Sequence, residues 1–320
     1  MRTIFGGLLA AALLLPLGAE AQVKQINMGG STTTTPFFAY YSSIAATVTK
    51  RYPELNVTVI STGGFANNVR QMRAGQLQFG GVSPDLIADA ENDPKDPYKD
   101  LRLLWWAVPA VQHIVVRADS PVKTVSDLDG KCFHAGMAGS SSETNMERII
   151  DALGLKPRLH RSDAKDALNA IRNGRCLGQA RTGSATRWDA NTAEVHLTSP
   201  LKPVGYTPDE VAKVKKALPW MTFVTVPAGV IPDAPAYTTH ALMVGFGATK
   251  NMDTDTAYKI VKASWEGIEE QRAAFAGIKG IDTPRQTVET AASFLHAGAI
   301  KYYREIGLTI RPELIPPEAR

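Results

Sequence analysis

Apolar residues along this chain fall into two alternating rhythms. Short apolar runs end in small polar residues, and each is followed by a longer stretch with apolar residues three and four apart. "QINMGG" (25–30) reads as a first strand, after which Phe37, Tyr41, Ile44, Ala45 and Val48 mark one face of a helix. Phe38 and Tyr40 lie off that face, where one of them can shape a cleft. "NVTVIST" (56–62) alternates as a second strand and stops at Thr62-Gly63-Gly64, before a helix carrying Val69 and Met72. "LQFGGVS" (77–83) is a third strand, and Ser83-Pro84-Asp85 opens a helix with proline in its first turn.

The middle of the chain repeats the pattern between two longer apolar stretches. "LRLLWWAVPAVQHIVVRADS" (101–120) reads as two strands, and "TTHALMVGFGATK" (238–250) as one long strand of the same kind. Between them, "KCFHAG", "RLHR", "CLGQART" and "VHLTSP" read as strands. Helices are expected at Ser141 to Leu153, around Leu168 and Ile171, and up to Ala193. After Lys250 the chain reads as helical, with Tyr258, Val261 and Ile268 in one run and Phe294 to Ile306 in another. The alternation predicts an α/β fold with mostly parallel sheets. One α/β domain (22–117 with 239–320) is interrupted by another (118–238), and two crossing strands form a hinge.

The first residues add a location. Met1-Arg2-Thr3 is a short basic start, Ile4 to Gly18 is an apolar run, and Ala19 and Ala21 supply the small residues of a cleavage site. This is the pattern of an export signal (1–21) cut after Ala21. The run is short of the ~20 apolar residues of a bilayer span, and no cysteine near the cut offers a lipid anchor. The mature chain is expected in the periplasm. The formal net charge is +4, with the basic residues scattered. The densest group, Lys213, Lys215 and Lys216, reads as part of an exposed helix; no long basic stripe points to nucleic acid. Two cysteines in an exported chain suggest one disulfide. Cys132 and Cys176 sit in the parallel phrases "DGKCFHAG" and "NGRCLGQA", each opening a strand, so neighbouring strands bring them level; two packed free thiols are the alternative.

Ligands of open α/β sheets bind beyond the C-terminal strand ends, where helix N-termini present free N–H groups and partial positive charge. Five such loops here carry hydroxyls, amides or small residues. They are Ser31 to Thr35, including Thr32 and Thr35; Thr62-Gly63-Gly64 with Asn67 and Asn68; Ser83 with Asp85; Gly136 to Thr144; and Arg181-Thr182-Gly183-Ser184. The concentration of β-branched threonines in the first, poor turn formers, argues for hydrogen bonding. Ser140 to Glu143 also fits S-x-x-E, a helix cap in which Glu143 reaches back. Arg181 is the cation best placed to hold a carboxylate, with an ion pair to Asp189 as its plainer role.

Catalytic motifs are weak. The six histidines are far apart, and no H-x-x-x-H pair, G-x-S-x-G, Walker A or C-x-x-C occurs, so neither metal nor cofactor is expected. "NMDTDTAY" (251–258) lacks the glycine and glutamate of a calcium loop and reads as a helix cap. Two other readings stay open: an enzyme such as a lyase or dehydratase using Asp85 and Glu143 as acid and base, and a receptor that signals rather than transports.

The order of phrases resembles the TAXI family of solute receptors of tripartite ATP-independent periplasmic (TRAP) transporters. "TGGFANNVRQMRAGQLQFGGVSPDLIADA", "HIVVRADSPVKTVSDLDGKCFHAGMAGSSSE" and "FLHAGAIKYYREIGL" carry it, over nearly the whole mature chain. The resemblance implies a type II periplasmic-binding-protein fold, two α/β lobes joined by a two-strand hinge with a ligand closed between them. It implies a small carboxylate or amino-acid solute and permease subunits in the membrane. Carried over, Thr62, Gly63, Asn68, Ser83, Asp85, Ser140, Ser141, Ser142 and Glu143 match its binding loops; with Ser31, Thr32, Thr35, Phe38, Arg181 and Thr182 they complete the expected site. "GGSTTTTPFF" departs from the family's glycine-rich phrase followed by two tyrosines, which narrows the pocket and adds hydroxyls.

Overall fold

In the computed structural model of this protein the described residues are 23–31, 33, 36–137, 140–162, 164–183, 187–231 and 234–320. The expected export signal, Thr32 and Thr35 lie outside them. In chain order, β1 (Lys24–Gly29), α1 (Pro36–Arg51), β2 (Leu55–Ile60), α2 (Phe65–Arg73), β3 (Phe79–Val82) and α3 (Pro84–Glu91) come first. A long β4 (Leu101–Arg117) leads to β5 (Cys132–His134), α4 (Ser141–Leu153), β6 (Arg158–Leu159), α5 (Ala164–Arg172) and β7 (Gly178–Gly183). Next come α6 (Ala190–Thr198), β8 (Leu201–Pro203), α7 (Pro208–Ala217), β9 (Thr222–Val226) and the long β10 (Tyr237–Thr249). Helices α8 (Thr254–Glu266), α9 (Ile268–Ala274), α10 (Thr283–Thr290) and α11 (Ala297–Glu305) finish the chain.

The strands form one mixed sheet in the order β2-β1-β3-β10-β4-β7-β5-β6, with β8 added to β4 and β9 to β10. β1 is parallel to β2 and β3, and β5 is parallel to β6 and β7. These two parallel sets are joined by the antiparallel pair β4 and β10. Side-chain burial divides at the same place. One apolar core draws on Ile26 to Ala107 and Met243 to Leu314; two smaller cores draw on Val111 to Tyr237. The first lobe is thus built from both ends of the chain and the second from its middle. The second half of β4, placed in the first domain by the sequence, packs into the cores of the second lobe.

The expected pair of strands at 101–120 is a single strand of 17 residues. Pro109 sits where it passes between lobes, opposite Met243. Proline offers no N–H to the ladder, and Val108 to Ala110 are only half-buried while the flanking residues are fully covered. Gly245 faces Trp106 across the crossing; a Cβ there would lie 2.3 Å from the Trp105 carbonyl oxygen, so only glycine lets the strands approach. "VHLTSP" also differs: Val195 to Thr198 end α6, and the strand is Leu201–Pro203. Asp189 caps that helix by accepting from the Thr192 N–H, which draws the following residues into helical backbone.

Tyr40, expected off the apolar face of α1, is fully buried. Its ring lies 5.8 Å from Phe246 and 5.4 Å from Phe275, because α1 is covered by the sheet on one side and by α9 on another. In the second lobe, β5 and β7 are parallel neighbours, and Cys132 and Cys176 form a disulfide with Cα atoms 4.7 Å apart. Lys213, Lys215 and Lys216 lie exposed on α7. Asp253 caps α8 by accepting from the N–H groups of Asp255 and Thr256.

Candidate functional site

The C-terminal ends of β1, β2 and β3 carry the loops of the first lobe, held in place by a buried amide. Asn68 is fully buried, and its Nδ2 donates to the carbonyl oxygens of Gly29, Gly30 and Gly81 at 3.2, 3.0 and 3.0 Å. Thr62 Oγ1, also buried, lies 2.7 Å from Asn68 Oδ1 and 3.0 Å from the Gly30 carbonyl. These two side chains therefore tie three loops together. Gly63 lies open: a Cβ there would meet only Asn67 Cβ, at 3.9 Å. Ser31 is buried at the end of β1, where the Ser61 hydroxyl donates to its carbonyl. Phe38 is half-buried in the first turn of α1.

Ser83 and Asp85 begin α3. Ser83 takes the N-cap place with extended backbone and no side-chain capping bond, and Pro84 follows as the first helical residue. Asp85, in the first turn, is almost fully buried and accepts from Asn145 Nδ2 at 3.2 Å. Asn145 belongs to α4, so this bond crosses from lobe to lobe.

In the second lobe, the chain after β5 turns at Gly136 and enters α4. Ser140 caps the helix, its Oγ accepting from the Glu143 N–H at 3.2 Å, so this hydroxyl serves the fold. Ser141 is exposed and Ser142 half-buried in the first turn. Ser142 Oγ lies 3.1 Å from Thr182 Oγ1, which also receives a bond from Gln112 Nε2 at 2.8 Å. Gln112 sits on β4 beside the crossing, fully buried, and with Asn145 was missed by sequence reading. The signal for Gln112 was there: it is an uncharged polar residue inside the most apolar stretch of the chain. Asn145 lies one helical turn after Ser141, whose carbonyl its Nδ2 also reaches at 2.8 Å.

Arg181 and Glu143 have charged partners within their own lobe. Arg181 Nη2 lies 3.5 Å from Asp189 Oδ1, the plainer of its two expected roles, while its Nε is buried without a hydrogen bond. Glu143 Oε1 lies 3.5 Å from Arg161 Nε. Asp85 and Glu143 are thus engaged with different groups rather than with each other. His134, beneath the α4 loop, is held below its ordinary pKa first by burial and further by His160 and Arg181, against a bond to the Ser162 carbonyl. Among the described residues no group of three or more His, Cys, Asp or Glu is placed to hold a metal ion. A hollow of about 650 Å³ that is mostly apolar opens between α6 and the segment before β10, against Trp188, Leu197 and Ile231. The polar groups converge elsewhere: on the gap between α3 and α4, with Thr182 and Gln112 at its hinge end.

This division into two lobes about crossing strands has relatives. The model of the NMT1-like family matches residues 28–307. The chain belongs to the NMT1-like family. Its structure is similar to a TctC solute binding protein from Polaromonas, with a TM-score of 0.54, 15% identity, 79% of this chain and 87% of that one covered. It is similar also to a putative sulfonate ABC transporter periplasmic sulfonate-binding protein SsuA from Methylobacillus flagellatus KT (TM-score 0.52, 14% identity, 93% of both chains). At these identities the likeness is one of fold: this NMT1-like protein has the two-lobe α/β architecture of periplasmic solute-binding proteins.

Proposed function

We propose that this NMT1-like protein is a periplasmic receptor, exported with cleavage after Ala21. It captures a small carboxylate-bearing solute between its lobes and hands it to the membrane subunits of a TRAP-type secondary transporter. The lobes are taken as residues 22–110 with 242–320, and 111–241. The observation that carries the reading is the meeting of polar groups from both lobes: Asp85 on α3 bonded to Asn145 on α4, beside Ser142, Thr182 and Gln112. Such groups close on a solute only when the lobes close.

The anionic end of the solute is assigned to the first turn of α4. There Ser141 and Ser142 border free N–H groups and the positive end of a helix of 13 residues. Arg181 is a poorer candidate, since Asp189 already faces it. At the opposite wall the Asp85 carboxylate of α3 admits a hydrogen-bond donor, with the buried, unpartnered Asn145 Oδ1 of α4 as a second acceptor beside it. The TRAP assignment rests on the three phrases that resemble the TAXI family. The Methylobacillus relative is described as sulfonate-binding, and a sulfonate suits the same helix terminus, so sulfonates belong in the test.

The test is a thermal-shift screen of dicarboxylates, 2-oxo acids, acidic amino acids and alkanesulfonates, followed by calorimetry on each hit. A solute at a hundred times its dissociation constant adds ~2.7 kcal/mol to stability, enough to read as a rise in melting temperature. A carboxylate hit bears the reading out; a response to sulfonates alone replaces the solute class, and silence across the screen overturns the anion-binding cleft.

A further inference from the structure

Helices α3 and α4 touch across the gap at two matched points. Asp85 and Asp89 stand one turn apart on α3, and Asn145 and Arg148 stand three residues apart on α4, so each pair shares a helix face. The inner contact is the buried Asn145–Asp85 bond. The outer one is an ion pair in which Arg148 Nη2 donates to Asp89 Oδ2 at 2.9 Å, with the side chains 30 and 49% exposed. The Arg148 guanidinium also lies 5.7 Å from the centre of the Trp220 ring. Trp220 and Pro219, in the turn before β9, close a hollow of about 190 Å³ whose other walls include Pro84, Ile87 and Trp106 of the first lobe. One guanidinium therefore joins α3, α4 and the 219–220 turn. Asp89, Arg148 and Trp220 all lie outside the polar loops assigned to the solute.

We propose that Arg148 is a positioning residue for lobe closure. It sets the open-to-closed ratio of the empty receptor, and through it the residence time of solute, without touching solute. The second half of this statement rests on the solute-receptor reading. A contact made only when the lobes are together shifts the equilibrium by its own free energy, whatever the solute. A part-exposed pair is a modest contributor and is weakened by salt. That is the scale on which a receptor is kept from locking shut before solute arrives.

The experiment measures the distance between spin labels on Ser42→Cys, exposed on α1, and Lys213→Cys, exposed on α7, by pulsed electron paramagnetic resonance without added solute. Arg148→Ala and Asp89→Asn are each expected to raise the open-to-closed ratio roughly two- to fivefold, and the charge swap Asp89→Arg with Arg148→Asp to return it. Salt at 1 M is expected to shift the unaltered chain in the same direction as Arg148→Ala. With a solute from the screen, dissociation is expected to quicken by a similar factor while the melting temperature of the empty protein stays unchanged, which separates closure from a role in the fold. Identical distance distributions for the unaltered chain and Arg148→Ala overturn the proposal even if solute binds. Distances that respond to Arg148 while no carboxylate or sulfonate binds leave the latch standing and remove the receptor reading instead.

Discussion

The side-chain amide of Asn68 donates to the carbonyl of Gly81 at 3.0 Å, and through that bond α2 holds the end of β3. The same Nδ2 reaches Gly29 and Gly30, so one buried group satisfies the carbonyls of strand ends that carry cleft loops. Asn68→Ala strips that donor from them. A loss of about 2–4 kcal/mol is expected by urea denaturation, since leaving a buried polar group unpaired costs ~1–3 kcal/mol. Asn68→Asp should cost at least as much, because it sets an acceptor against acceptors.

Thr182→Val keeps the shape of the side chain and removes the hydroxyl shared by Gln112 and Ser142. Solute affinity is expected to fall roughly five- to tenfold, the worth of about one hydrogen bond, with a stability loss of about 1 kcal/mol, because Thr182 is itself exposed but the buried Gln112 amide loses a partner. Calorimetric titration of the screened solute checks both. A large loss of stability with unchanged affinity would place Thr182 in the fold rather than the site.

How far the chain could be read varies with the physics involved. Strand and helix rhythm is local, so β1 to β3, α4 and the long β10 were legible from "QINMGG" to "TTHALMVGFGATK". Asp253 at its helix cap was legible for the same reason. Orientation at a strand end is not local. The bonds of Asn68 to the ends of β1 and β3 become visible only when those strands converge, and Tyr40 reads as lying off the apolar face of α1 until α9 covers a second face of that helix. Gln112 and Asn145 were missed because their partners, Thr182 and Asp85, stand 70 and 60 residues away.

Acid should destabilise the fold well before most carboxylates titrate. Burial holds His240 down at about 3 and His296 at about 4, and keeps His134 below its ordinary value. An unfolded chain takes these protons near pH 6.5. With folded values below the unfolded one, stability is full above pH 6.5 and falls as pH drops toward ~4, by up to about 1.4 kcal/mol per pH unit for each histidine. Urea midpoints between pH 7.5 and 4.5 should show the slope, and His240→Phe should make it shallower by one proton. A flat profile to pH 5 contradicts the burial of these rings.

The Cys132–Cys176 disulfide closes a sequence separation of 44 residues within the second lobe. Restricting an unfolded loop of that size is worth about 4 kcal/mol in the chain-entropy account. Reduction, or the double change to alanine, should lower the stability of the second lobe by about 3–4 kcal/mol. Calorimetric scans with and without reductant check this: melting of the second lobe should move while that of the first, whose core holds neither cysteine, stays in place.

The last prediction separates two glycines at the cleft. Gly136 has φ of +149°, and a Cβ on it would lie 2.5 Å from the Glu143 nitrogen and 2.9 Å from the Glu143 Cα, both backbone atoms in the first turn of α4. Neither can move without carrying the helix start with it, and Ser140 to Ser142 belong to that start. Gly136→Ala is therefore expected to lower stability by about 1–3 kcal/mol and to weaken solute binding further by displacing the first turn. Gly63 has room for a methyl group, so Gly63→Ala should leave stability within about 0.5 kcal/mol. If solute approaches the Gly63 backbone, that methyl blocks it and affinity falls; if affinity is unchanged, the first lobe meets the solute through Asp85 and Ser83 instead. Denaturation and titration of both variants decide between these outcomes, because the fold tolerates one change and not the other.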